Sequence, residues 1–189
     1  MTTRDPTLAA GRVSSIDEVV KAARGAARRL DLTGAAGGAS AAVLARLALA
    51  SGQLVVAVTP DDRASRRLEA DLRYFSSEVG GRDGTEPRVH RYLEHDLAPG
   101  SPLRPDRRNV LGRLAVLSFL HRRAGAVREP SPAILVLSAP ALQRLVVPRG
   151  AFDRFAREVE VADFVDRDAL VSSLVEAGYR KAPLVEDRG

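Results

Sequence analysis

Apolar positions along the chain switch between two periods, and the switches divide it into elements. Ile16, Val19, Val20, Ala23 and Ala27 recur at helical spacing and predict an amphipathic helix over 16–30. Ser15-Ile16-Asp17-Glu18 fits a capping box, with Ser15 on the orphan amides and Glu18 reaching back. An alanine- and leucine-rich stretch predicts a second helix over about 40–50. Leu54–Thr59 and Ala133–Ser138 are unbroken apolar runs of the kind that a parallel sheet buries on both faces. Between them, Asp61 caps a predicted helix whose Ala64, Leu68, Leu72 and Phe75 form one stripe. Arg88–Tyr92 reads as a short strand, and Asp106 caps a helix carrying Val110, Leu111, Leu114, Leu117 and Leu120. Ala139–Leu145 is a short helix that ends before Pro148.

This alternation of strands and helices predicts a doubly wound α/β layout with a parallel sheet. Residues 1–14 lack periodicity and are expected to form a flexible N-terminus. The pattern changes near residue 156, which places a first domain over 15–156 and the beginning of a second, small α+β domain over 157–189. There Arg157–Val161 alternates as a half-exposed strand, Asp166 caps a helix with Leu170, Leu174 and Val175, and Gly178 ends it. Tyr179–Val185 reads as one more strand, followed by a turn with nothing left to pair against it, so the second domain is expected to be truncated.

Composition narrows the chemistry. The 189 residues contain no cysteine, which excludes disulfides, zinc–thiolate sites and a thiol nucleophile. No apolar run approaches the ~20 residues of a membrane span, and no secretory signal opens the chain, so a cytoplasmic protein without membrane association is expected. The formal charge is +5, and only Lys21 and Lys181 among the 29 basic residues are lysines. That bias suits a GC-rich genome and weakens any inference from arginine content to nucleic acid. Its distribution says more. Ten arginines face five acids between Arg82 and Arg128, whereas six bases face nine acids from Ala151 onward.

The glycine-rich turn Gly34-Ala35-Ala36-Gly37-Gly38-Ala39-Ser40, ahead of a helix, stands where a phosphate would sit. The phosphate-binding pattern G-x-x-x-x-G-K-[ST] needs a lysine and a metal-binding hydroxyl. With Ser40 as the hydroxyl, Gly38 fits but Ala39 replaces the lysine and Thr33 the first glycine. With Gly34 as the first glycine, Ser40 falls at the lysine. No acidic pair ends a strand to hold Mg²⁺, and Ser138 occupies that kind of position. Gly34, Gly37, Gly38, Ala39 and Ser40 therefore read as a degenerate phosphate loop without catalytic residues, and no cofactor is expected.

Taken in order, LTGAAGGASAAVLARLA, LVVAVTPDDRASRRLEADLRYF, APGSPLRPDRRNVLGRLAVL, AILVLSAPALQRLVVP and LVEAGYRKAPLVEDRG resemble the N-terminal region of bacterial transcription-repair coupling factor (Mfd). That region is itself similar to the damage-recognition helicase UvrB. The resemblance runs over about residues 30–189 and rests on Leu32-Thr33-Gly34-Ala35, the loop Pro99–Pro105 with Arg113-Leu114, and Leu174 with Ala177-Gly178-Tyr179. It implies a RecA-like, helicase-like first module that has lost its phosphate motif and does not hydrolyse ATP. It also implies a UvrB-like second domain that contacts UvrA. Binding of RNA polymerase and the ATP-dependent DNA translocase motor would then belong to other domains. The arginine-containing segment of the UvrA surface is expected after Gly189. Gly100 departs from the aromatic usual after the first proline of the loop.

Other residues carry weaker signals. Arg104, Arg107 and Arg108 flank the proline loop and could meet DNA phosphates, although a solvated helix start is the simpler explanation. His90, His95 and Asp96 lack the fixed spacing of metal ligands, and His121 beside Arg122 and Arg123 suits a helix C-terminus. Three histidines without a nucleophile motif support no catalytic triad. Tyr74 and Phe75 lack the aromatic company that base stacking needs. The function expected is a non-catalytic scaffold that recruits UvrA to stalled transcription, with little or no DNA binding of its own. The alternatives are a divergent P-loop ATPase or helicase domain that binds nucleotide and DNA, and a plain nucleic-acid-binding module.

Overall fold

A computed structural model describes residues 15–25, 29–80, 85–98, 100–125, 131–156, 159 and 161–182. The N-terminus over 1–14, Ala27, Pro99 and residues 183–189 lie outside them. The described residues divide into two compact units, one ending at Arg144 and the other beginning at Leu145.

The first unit opens with α1 (Ile16–Ala23), where the Ser15 hydroxyl accepts the Glu18 N–H at 3.3 Å and Val19 and Val20 are buried. The helix is shorter than its apolar spacing predicts. Arg24 caps it, and Gly25 follows in a tight turn where a glycine would cost a continuing helix about 1 kcal/mol. In α2 (Ala39–Ser51), Ala41, Ala42, Ala45 and Ala48 form a buried face, and small side chains let the helix lie close against its neighbours. Gly52 ends it in the left-handed region, φ +66°, its N–H donating to the Ala48 carbonyl. Helix α3 (Asp62–Val79) starts as expected, with the Asp61 carboxylate accepting the Ala64 N–H at 2.7 Å. Helix α4 (Arg107–Gly125) follows Asp106, whose carboxylate accepts the Arg108 N–H.

Strands β1 (Leu54–Thr59), β2 (Arg88–Tyr92) and β3 (Ala133–Ser138) form one all-parallel sheet in the order β1-β3-β2. Val56 pairs with Leu135 and His90 also pairs with Leu135, so β3 is central and every one of its residues is buried. On one face, Ile134, Val136 and Ala57 pack with Leu72 of α3 and Ala41, Ala45 and Ala48 of α2. On the other, Leu135, Leu137 and Tyr92 pack with Val116 of α4 and Ala141 of α5 (Ala139–Leu142).

The two apolar runs are not equivalent. Val56 is 52% and Val58 53% exposed, so β1 is not buried on both faces as its composition suggests. The reason is its place at the sheet edge. Helix α4 packs over β2 and β3, and Leu54 alone of that face of β1 joins the cluster beneath it.

In the second unit, α6 (Arg149–Phe155) appears where no element was expected, and α7 (Arg167–Glu176) begins at Asp166, whose carboxylate accepts the Asp168 and Ala169 amides. Gly178, at φ +98°, ends α7, with Gly178 N–H on the Val175 carbonyl and Tyr179 N–H on that of Leu174. The strands expected over 157–161 and 179–185 do not form at their described residues. Val161 and Ala162 make a turn with Ala162 at φ +78°, and Tyr179 to Ala182 is irregular. Alternation alone does not make a strand without a neighbour to accept its hydrogen bonds.

Candidate functional site

The glycine turn is shaped by left-handed backbone at Gly34 (φ +80°) and Gly37 (φ +59°), both exposed. The Ala39 N–H donates to the Ala36 carbonyl at 3.3 Å, and the Gly38 carbonyl accepts Ala42 N–H at 3.0 Å to start α2. Gly38 is required for another reason. A Cβ at this position would meet Phe75 Cε2 of α3 at 2.7 Å. The aromatic ring thus occupies the space beside the turn, while Ala39 and Ser40 face solvent. A phosphate here would find helix amides but no ammonium at position 39.

At the carboxyl end of the sheet, where ligands of parallel α/β proteins usually bind, polar side chains are consumed by one another. Thr59 Oγ1 lies 2.6 Å from Ser65 Oγ and donates to or accepts from it within the core. The Ser138 hydroxyl donates to Glu94 Oε2 at 3.0 Å and accepts the Ala141 N–H. Sequence reasoning placed Ser138 here but missed Glu94, which arrives from the loop after β2 and has no spacing signal. That loop is stitched down by Asn109 Nδ2 on the Glu94 carbonyl (2.8 Å), Arg113 Nη1 on the Leu93 carbonyl (2.6 Å) and Asp106 N–H on Asp96 (2.6 Å). Gly100 takes φ +76°, which accounts for a glycine at that position on backbone grounds.

Charge is also committed. Arg91 of β2 donates to Asp62 (2.7 Å) and Glu69 (2.6 Å) of α3, which also pair with Arg66 and Arg73. Arg113 lies 4.3 Å above the Tyr92 ring. Burial pushes the Tyr92 phenol above its usual range, and Arg113 opposes the shift. His90 stacks on Phe119 at 3.9 Å, and burial, with Arg88, Arg123 and Arg73 nearby, lowers its pKa from 6.5. His95 Nδ1 accepts the Leu97 N–H and lies 3.7 Å from Asp96. Among the described residues no group of three or more His, Asp or Glu side chains is placed to hold a metal ion. The structure does not bring His90 together with His95 and Asp96.

Arg104, Arg107 and Arg108 are exposed, and among the described residues none forms an ion pair. Two of them stand in the first turn of α4, where the helix dipole opposes a cation. No described helix is long and apolar enough to cross a membrane.

These features define a mixed α/β protein on a small parallel sheet flanked by helices, with a glycine turn lacking a lysine and a second helical unit. The chain is 38% identical over 165 residues, 87% of its length, to the transcription-repair coupling factor of Myxococcus xanthus. It belongs to the transcription-repair coupling factor family. The chain spans 13% of that relative's length. No protein-family profile matches it, and no solved structure matches it.

Proposed function

We propose that this chain is a non-catalytic scaffold of a coupling factor, recruiting UvrA so that stalled RNA polymerase is handed to excision repair in the cytoplasm. The first unit is then a RecA-like module that has lost nucleotide hydrolysis. The region from about residue 157 opens a UvrA-binding domain, and both the translocase motor and the polymerase contact belong to other parts of the protein. The observation that carries this reading is the identity to the coupling factor across 87% of the chain. Ala39 supports the non-catalytic part, because a phosphate cradle without its lysine lacks most of its counter-charge. The second unit supports the recruiting part. Its Val161 and Phe164 are fully exposed, and neither of its helices buries a residue, as suits a surface completed by further chain and a partner.

Two measurements test it. Calorimetric titration with Mg-ATP is expected to show no micromolar binding, and Ala39→Lys restores little because Glu94, the carboxylate that reaches Ser138, is already engaged by that hydroxyl. Capture of UvrA is expected to be weak with residues 1–189 and strong once the chain is extended through the arginine-containing segment. Equal capture by both lengths would place the contact within 1–189 and overturn the assignment.

A second reading is favoured by one observation, the three exposed arginines at the positive end of α4. DNA binding through Arg104, Arg107 and Arg108 would show a steep salt dependence that falls when they are replaced by alanine.

A further inference from the structure

We propose that the outer face of α3 is a docking surface for single-stranded DNA, with Tyr74 stacking on a base and four arginines taking the phosphates. The proposal goes beyond the scaffold reading and is independent of it, since UvrA capture does not involve this face.

Helical spacing sets the face. At 3.6 residues per turn, Arg63, Arg67, Ala70 and Tyr74 fall in one stripe of α3, with Arg66 and Arg73 along one side of it. All six are exposed, while Leu68, Leu72 and Phe75 turn the opposite side of the helix into the core.

The stripe is positive because the acids around it are used elsewhere. Asp62 and Glu69 are held by Arg91 of β2, and the Asp61 carboxylate accepts the Ala64 N–H. Glu78, one turn beyond Tyr74, is the one exposed acid of the helix. Arg63 and Arg67 form no ion pair among the described residues. Arg66 and Arg73 pair with Asp62 (2.7 Å) and Glu69 (2.9 Å). A guanidinium carries five N–H donors, so each is aimed by its carboxylate and keeps donors for a phosphate.

The tyrosine selects the ligand. Arginines alone would suit any acidic partner, but Tyr74 is 61% exposed among them, its ring braced edge-to-face by Phe75 at 5.2 Å. An open ring beside cations is what base stacking uses. The aromatic company that the sequence lacks is supplied by the arginines, whose planar guanidinium groups also stack on bases. A duplex hides its base faces, so a single strand is required. Guanidinium groups only donate, so the four arginines would not accept from a 2′-hydroxyl, and DNA satisfies them.

Dimensions agree. Arg63 to Tyr74 spans about 16 Å, the length of roughly five nucleotides at ~3.4 Å each. Ala70, between them, is small enough for a strand to lie close to the helix. A shallow hollow lined by Asp61, Arg63, Ala64 and Arg67 opens at the start of the stripe.

Fluorescence anisotropy of a labelled oligothymidylate of about twelve nucleotides tests this on residues 1–189. Kd is expected at about 10–100 µM in low salt, with a log–log salt slope near about −3, from four phosphates at ~0.7 each. Tyr74→Ala should weaken binding about tenfold with the slope unchanged, and Tyr74→Phe should keep it. Arg63→Ala with Arg67→Ala should make the slope shallower by about 1.4. No saturable binding, tighter binding of a duplex or of oligouridylate, or undiminished affinity in Tyr74→Ala would overturn the proposal. Loss on replacing Arg104, Arg107 and Arg108, with none on replacing Arg63 and Arg67, would overturn it and move the DNA to α4.

Discussion

Phe75 of α3 packs so closely on Gly38 that a methyl group at position 38 would lie 2.7 Å from the ring. The glycine of the degenerate phosphate loop is therefore held by packing, whatever its ancestry. Gly38→Ala is expected to destabilise the protein by about 1–3 kcal/mol through overpacking. Phe75→Leu should relieve most of that penalty in the double variant, and chemical denaturation of the four proteins of the cycle measures the coupling. Additive effects would mean that the ring yields freely.

The sheet gives a sharper contrast. Leu135 is 7% exposed between two covered faces, whereas its register partner Val56 is half open. Leu135→Asp is expected to abolish folding, since an unpaired buried carboxylate costs several kcal/mol of a total near ~5–15. Val56→Asp should cost residues 1–189 under about 1 kcal/mol. Circular dichroism melts of the two variants separate the cases.

Arg91 joins β2 to α3 by pairing with both Asp62 and Glu69, and its side chain is 16% exposed. Arg91→Ala leaves Asp62 and Glu69, both partly buried, with only the exposed Arg66 and Arg73 as partners. A loss of about 1–3 kcal/mol is expected, with Asp62→Asn partly rescuing it. Urea titration reads both.

His90 gives the protein a pH slope with a definite sign. Its lowered pKa means that the folded state binds fewer protons than the unfolded state near pH 6. The contribution is present in full above 6.5, the unfolded value, and is lost as the pH falls through that point toward the folded pKa. His90→Gln should flatten stability against pH in this window, as followed by denaturation midpoints at several pH values.

Local chemistry was legible in the residues themselves. Ser15, Asp61 and Asp166 cap helices because a short side-chain acceptor next to free amides acts within three residues, and Gly178 stops α7 because it alone takes a left-handed turn cheaply. The parallel sheet followed from apolar runs separated by helical stripes, and the absent lysine at Ala39 needs no structure to be seen. Tertiary structure decided what depends on neighbours distant in sequence. Val56 and Ile134 look alike in sequence, yet one is half exposed and the other buried, because strand order puts β1 at the edge and β3 at the centre. Glu94 reaches Ser138 across 44 residues, and Phe75 reaches Gly38 across α3 and α2, contacts that no local period encodes. Hydrogen-bonding partners settled the rest. The alternating residues after 156 form no strand at their described positions, since a strand exists only where another edge receives it.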